Sequence, residues 1–265
     1  MTRILICHAE PLDSDRQPGP PQDPRRPDHP LVFWNDECVG EVVHRLRSAG
    51  VQVDHRRGPY FCLKDVLQAV GEDPDLDALV IFGHGKRPPA PREVFNRRNG
   101  PRDTLVNEDV VRAASQAGQV FLACHSFAHF ENLARDSGVP VFVGVVDQAA
   151  TPAVLADFAR LSPVGESEKD DLVKHYRELY VRLVLNLVQC MVRFRSDSSS
   201  MAAQCKTLVE QCRQQLLHAA VEYQRLLFQA RGTPYELYYS TIIGGFIDTW
   251  DALRLCASIP SDGAV

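Results

Sequence analysis

The feature that most constrains the fold is an alternation of short apolar runs with helical patterns between residues 3 and 147. The runs are too short for helices, and the segments between several of them repeat apolar residues every three or four positions. This alternation is typical of an α/β domain, in which helices cover a parallel sheet. The predicted strands are Ile4 to Cys7, Val51 to Asp54, Ala78 to Phe82, Val120 to Ala123 and Val139 to Val146.

Capping residues mark the helices between these strands. Asparagine and serine side chains accept hydrogen bonds from free amides at helix starts, and glycine favours the backbone conformation of helix ends. These signals predict four helices: one from Asn35 to a stop at Gly50, one from Tyr60 to Val70 with Gly71 at its exit, one from Asn107 to Gly118, and one from Phe127 to Arg135.

Two long amphipathic stretches dominate the chain after Asp147. Each repeats apolar residues along one helical face, and the serine-rich segment Ser196 to Ser200 separates them, which predicts an antiparallel helical hairpin. The predicted stripes are Leu172, Tyr176, Leu179, Leu183, Leu187 and Cys190 in the first helix, and Cys205, Leu208, Cys212, Leu216, Ala219, Tyr223, Leu226 and Ala230 in the second.

A capping box predicts the start of a last helix at Thr233 and Glu236, and the helical pattern continues to near Ala257. Gly244 and Gly245 inside it imply a kink or a close backbone contact. We therefore expect an α/β domain over residues 1–162 and a helical extension over residues 163–265.

Two chemically active side chains follow consecutive apolar runs. One run ends in ValIlePheGlyHisGly, which contains His84 and Gly85, and the next ends in PheLeuAlaCysHisSer, which contains Cys124. If the strands are neighbours, a thiol nucleophile and an imidazole base face each other across a short gap. The backbone amides of Gly85 and Cys124 are then candidates for an oxyanion hole.

An apolar strand before GlyHisGly, followed after a helix by an apolar strand before AlaCysHisSer, resembles the caspase superfamily of cysteine peptidases, which includes caspases, metacaspases, separases and bacterial CHAT peptidases. The resemblance covers roughly residues 1 to 160. It implies a caspase-like sandwich built on a parallel sheet, with His84 and Cys124 as catalytic dyad and Gly85 at the oxyanion hole. Leu122 departs from the aspartate of metacaspases and the glutamine of caspases, so neither cleavage preference carries over.

Cys7, His8, His125 and Asp147 also lie at or near strand ends, where they are candidates for substrate binding. Cys7 is in addition a rival nucleophile near His84, and the alternative for it is a residue that merely lines the pocket. Asp147 either faces a substrate pocket or caps the next turn.

A metal site is the alternative interpretation of Cys124, His125 and His129, because the two histidines share a helical face. Spacing suggests no fourth ligand, so we expect neither a metal nor an organic cofactor.

Charge and cysteine distribution limit the partners. The 29 basic and 34 acidic residues give a net charge of −5, which disfavours broad nucleic-acid binding. No signal-like or membrane-spanning apolar stretch occurs, and the eight cysteines are scattered, so we expect a cytoplasmic protein with mostly reduced thiols and no membrane association.

Three functions follow as hypotheses. The first is a cytoplasmic endopeptidase that cleaves a protein substrate and is regulated by a partner, by self-association or by the helical extension; similarity to CHAT peptidases implies a role in bacterial defence. The second is a catalytically inactive, caspase-like interaction scaffold. The third is a flavodoxin-like binder of a small ligand, although no glycine-rich phosphate loop follows any strand.

Overall fold

A computed structural model shows an α/β protein in which helices pack on both faces of a mostly parallel sheet. It describes residues 2–8, 36–57, 63–73, 75–82, 84–85, 94–96, 103–114, 118–121, 126–145, 166–194, 196–233 and 235–257. The α/β class predicted from the sequence is confirmed.

The strands form two sheets. They are β1 (Arg3–His8), β2 (Gln52–Arg57), β3 (Leu76–Phe82), β4 (His84–Gly85), β5 (Val94–Asn96), β6 (Asp103–Val106), β7 (Gly118–Phe121), β8 (Val141–Val145) and β9 (Leu253–Ala257). The large sheet has the order β2-β1-β3-β7-β8-β9, with β9 antiparallel to β8 and all other pairs parallel. The small sheet, β4-β5-β6, is antiparallel. Each of the five strands predicted from the sequence is present in the large sheet, although β8 begins at Val141 instead of Val139, and the predicted strand residues Leu122, Ala123 and Val146 lie outside the described residues.

The helices follow the predicted order. They are α1 (Asp36–Ser48), α2 (Leu63–Glu72), α3 (Glu108–Ala113), α4 (Ser126–Asp136), α5 (Glu166–Arg193), α6 (Ser198–Gln229) and α7 (Tyr235–Ala252). Asn107 caps α3 as expected, because its side chain accepts hydrogen bonds from the amides of Asp109 and Val110 at 3.0 and 3.3 Å.

Successive residues of the central strands point into two different hydrophobic cores. Ile4 and Ile6 of β1 belong to a core that α1, α5, α6 and α7 share. Leu5 and Cys7 belong to a second core, formed with α2, α3 and α4. Since neighbouring side chains of a strand point to opposite faces, this division makes the large sheet the middle layer of a sandwich.

Hydrogen bonds at the start of β1 align it with its neighbours. The Arg3 amide donates to the Asp77 carboxylate at 2.9 Å, and the Arg3 guanidinium donates to Asp73 at 2.8 Å and to the Gln52 side chain at 3.3 Å. These contacts join the amino-terminal ends of β1, β2 and β3, so the opposite ends of the three strands also lie at one edge.

The last helix is shorter than the sequence predicts. It ends at Ala252, and the next five residues form β9 instead of a helical turn. Leu253 is buried and Leu255 packs against the same core, with Arg254 between them, which is the alternation of a strand.

Two other predicted helix ends are wrong. Gly71 lies inside α2 instead of at its exit, and α3 stops at Ala113, whereas Gly118 begins β7. The hairpin turn precedes most of the serine-rich segment, because Asp197 caps α6 and accepts a hydrogen bond from the Ser200 amide.

The helical hairpin is buried more extensively than its predicted stripes. The described members of the first stripe, Leu179, Leu183, Leu187 and Cys190, are buried. Other faces of α5 are buried as well, because this helix contacts α1, α6 and the sheet. In the second stripe the prediction is wrong for Leu226, because 39% of its surface is exposed.

The predicted domain division at residues 162 and 163 falls within residues 146–165, which lie outside the described part of the chain. The division stays a prediction. Helices α5, α6 and α7 nevertheless share one hydrophobic core with β1, β3 and β8. None of the helices in the described ranges is both long and apolar enough to cross a membrane.

Gly232, between α6 and α7, and Gly244, inside α7, allow a matched test of how backbone conformation affects stability. A Cβ added at Gly244 or at Gly232 would meet no atom within 4 Å, but only Gly232 has a positive φ, of 72°. We expect Gly244→Ala to raise the free energy of unfolding by about 0.5 to 1 kcal/mol, because alanine loses less backbone entropy in a helix. Gly232→Ala should lower it by about 1 kcal/mol. Urea unfolding followed by circular dichroism measures both; a loss of stability in Gly244→Ala would contradict the open space at that site.

Candidate active site

The predicted catalytic residues follow two strands that are direct neighbours. β3 pairs in parallel with β7, and Ile81 is the register partner of Phe121. His84 lies three residues after Ile81 in the sequence, and Cys124 lies three residues after Phe121. Because both strands run in the same direction, they end at the same edge of the sheet.

The chain after β3 enters the small sheet almost at once. The backbone of His84 pairs with Phe95 and that of Gly85 with Val94, both in β5. The polar segment from Lys86 to Thr104 contains β5 and the start of β6. This pairing anchors the backbone of the predicted base and of its neighbour.

Several predicted site residues lie outside the described part of the chain. These are Cys124, the predicted nucleophile and oxyanion-hole residue, and the candidate substrate-binding residues His125 and Asp147. Their roles stay predictions.

Cys7 is buried in the core on the α2, α3 and α4 side of the sheet, where its exposed fraction is 0%. Burial raises the pKa of its thiol to about 12; the Arg56 charge opposes this shift, and Asp54 adds to it. At neutral pH the thiol is therefore protonated, and a protonated thiol is a poor nucleophile. This environment argues against Cys7 as the rival nucleophile and against direct contact of its sulfur with a substrate.

His8 lies on the opposite face of the sheet and is 1% exposed. Its ring stacks on that of His55, with centroids 6.2 Å apart and planes at 12°, and meets the Phe82 ring edge-on at 6.3 Å. Phe82 is the last residue of β3, two positions before His84. His8 thus packs against the strand that leads into the predicted base, and its predicted role in substrate binding stays a prediction.

His55 did not emerge from the sequence as a site residue. The second strand was predicted to end at Asp54, but β2 continues to Arg57 and places His55 opposite Ile6 of β1. The available signal was the alternation from Val53 to His55, which puts both residues on one face.

An ion pair lies at the end of β2 on the Cys7 side. Arg56 approaches Asp54 at 3.0 Å and donates a hydrogen bond to the Asp65 carbonyl at 3.1 Å. Arg56 is also the register partner of Cys7. The hydrogen bond from Arg56 to Asp65 connects the end of β2 to α2.

Groups of three or more histidine, cysteine, aspartate or glutamate side chains that could hold a metal do not occur among the described residues. The zinc alternative depends on Cys124 and His125, which lie outside these ranges. It is therefore neither supported nor opposed by the geometry.

Comparisons of the chain with protein-family models, with curated proteins and with solved structures found no match. Membership of the caspase superfamily therefore stays a prediction from the two motifs.

The burial of Cys7 and Cys212 predicts very slow alkylation. Burial raises the pKa of both thiols to about 12, so at pH 7.5 their thiolate fraction is about three orders of magnitude below that of an ordinary thiol. After exposure to iodoacetamide at pH 7.5, mass spectrometry should find the tryptic peptides 4–16 and 207–213 unmodified in the folded protein and fully modified in urea. Equal labelling in both states would show that these thiols are not buried.

Proposed function

We propose that this chain is a cysteine endopeptidase of caspase-like type, with Cys124 as nucleophile and His84 as proton acceptor and donor. The observation that carries the proposal is the parallel pairing of β3 with β7. An intervening strand between them would have separated the two residues and excluded the dyad.

The register of β3 with β7 also supports the proposed dyad. Ile81 and Phe121 are paired, and each predicted catalytic residue follows its strand partner by three positions. Neighbouring strands lie about 4.8 Å apart. Two residues that follow adjacent parallel strands by the same number of positions can bring a thiol and an imidazole within proton-transfer distance.

The chemistry needs only these two side chains and backbone amides. The Cys124 sulfur attacks the carbonyl carbon of a peptide bond, and His84 accepts the thiol proton and then donates it to the departing amine. Amides of Gly85 and Cys124 stabilise the oxyanion that forms on the carbonyl oxygen. Water then hydrolyses the thioester, with His84 acting as base, and neither a metal nor an organic cofactor takes part.

The proposed substrate is a protein, and the proposed compartment is the cytoplasm. The cleavage preference is not inherited from the family, because Leu122 replaces the residue that caspases and metacaspases use before the nucleophile. Regulation by a partner, by a second copy or by the helical segment, and a role in bacterial defence, belong to this proposal.

A catalytically inactive scaffold is the second candidate, and one observation favours it. Phe228 of α6 and Leu237 of α7 are 69% and 76% exposed, and Val221 is also exposed. A contiguous patch of exposed apolar side chains is typical of a surface that binds another protein, and Val221 and Phe228 line the same surface depression of α6.

Replacement of the two catalytic residues separates these candidates. We expect Cys124→Ala and His84→Gln each to lower cleavage of a peptide library at least about 1000-fold, because both remove a group that acts in the transition state. A cysteine-directed electrophile should modify the tryptic peptide 113–135 of the wild type, in which Cys124 is the sole cysteine. His84→Gln should slow that modification.

Cys212→Ala is the matched control, since Cys212 is a buried thiol of α6 that has no role in the proposed mechanism. It should retain cleavage and labelling of peptide 113–135. Undiminished cleavage by Cys124→Ala would refute the proposed nucleophile. A folded wild type that neither cleaves the library nor reacts at Cys124 would favour the scaffold.

A further inference from the structure

Two cysteine side chains meet inside the helical hairpin. Cys190 lies in the last turn of α5 and Cys205 near the start of α6, close to the turn that joins the helices. They are 5% and 0% exposed, and their sulfur atoms are 3.4 Å apart. This contact brings together two groups that are fifteen positions apart in the sequence.

The hydrogen bonds of the two thiols have a direction. The Cys205 thiol donates to the Cys190 sulfur, and the Cys190 thiol donates to the Met201 carbonyl at 3.7 Å. A disulfide bond is about 2.05 Å long, so the sulfurs need to approach by only about 1.4 Å. Small side-chain rotations near the end of a helical hairpin can supply such a displacement.

We propose that Cys190 and Cys205 form a reversible oxidation site, at which a peroxide converts the thiol pair into a disulfide that crosslinks α5 to α6. In the first step the Cys190 sulfur attacks one peroxide oxygen, the O–O bond breaks, and hydrogen peroxide yields a sulfenic acid and one water. In the second, the Cys205 sulfur attacks the Cys190 sulfur, and the hydroxyl group leaves as water with the Cys205 proton. Two thiols are oxidised and one peroxide is reduced.

Cys190 is the attacking residue because its surroundings favour a negative charge more than those of Cys205. It accepts the hydrogen bond from Cys205 and lies near the Arg193 charge, and both effects lower the pKa of its thiol. Burial is the larger effect and leaves that pKa above its ordinary value. The pKa of Cys205 is raised as well, by burial and then by its neighbour Cys190. The pair therefore reacts slowly with peroxide.

The crosslink would act on the hydrophobic core of the sheet. α5 contacts α6, and it also contacts α1, β3 and β7. A disulfide near the turn reduces the freedom of the unfolded chain between the two cysteines and holds α5 against α6. The proposal does not depend on peptidase activity.

Tryptic mapping tests the proposal directly on the full chain. Cleavage after Arg182, Arg193, Arg195 and Lys206 places Cys190 alone in peptide 183–193 and Cys205 alone in peptide 196–206. After treatment of the folded protein with hydrogen peroxide and alkylation of the remaining thiols in urea, the two peptides should appear as one linked species, two hydrogens lighter than their sum. Dithiothreitol should separate them. Oxidation of Met191 and Met201 adds oxygen to each peptide but does not link them.

The thermal midpoint provides a second measurement. Oxidation should raise Tm by about 5 °C, reversibly with dithiothreitol. Cys212→Ala, which removes another buried α6 thiol on the same stripe, should retain the linked species and the Tm shift; Cys205→Ala should lose both. If Cys205→Ala does not fold, the wild-type peptide map decides alone. Recovery of both alkylated peptides without a linked species from folded, peroxide-treated wild type would overturn the proposal, as would linkage of Cys190 to a different cysteine.

Discussion

The parallel pairing of β3 with β7 is the contact on which the candidate site depends. Val80 pairs with Val120 and Ile81 with Phe121, and the two strands end at one edge of the sheet. A slip of one residue in this register would reverse the faces of all later residues of one strand relative to the other. Burial of β3 on both faces limits such slips, because Phe82 fits one core and Ile81 the other. The Arg3 amide bond to Asp77 adds a polar constraint between β1 and β3 at the opposite end.

The local patterns of the sequence were sufficient for the five parallel strands of the large sheet and for most helices, but not for β9 or the small sheet. The apolar runs predicted five strands because buried parallel strands need apolar residues on both faces, and the hairpin stripes predicted the buried side of α6 apart from Leu226. β9 was missed because Leu253 follows Ala252 without a turn signal, and its partner β8 lies far away in the sequence. Gly71 was misassigned because a glycine inside a helix and one at its end look alike without tertiary contacts.

The candidate site was predictable in part. Cysteine followed by histidine occurs at the end of two apolar runs, as Cys7 with His8 and as Cys124 with His125, so the sequence alone leaves both sulfurs as candidates. The structure decides against one of them, because β1 continues through Cys7 to His8 and buries the Cys7 sulfur in a core, whereas Cys124 lies outside the described residues. The stacking of His8 on His55 was beyond prediction, since it depends on the length and register of β2.

The helices α5, α6 and α7 form part of the hydrophobic core on one face of the large sheet. On the face that carries Ile4, Ile6, Val80 and Phe82, α1 covers the strands together with α5, α6 and α7. Loss of the last three helices would expose much of this apolar face to water, at a cost of roughly 25 cal/mol per Å². The same packing connects the helical hairpin to the candidate site, because α5 contacts β3, and His84 follows β3 in the sequence. A change that displaced α5 would therefore act on β3 and also on its neighbour β7, since α5 contacts both strands.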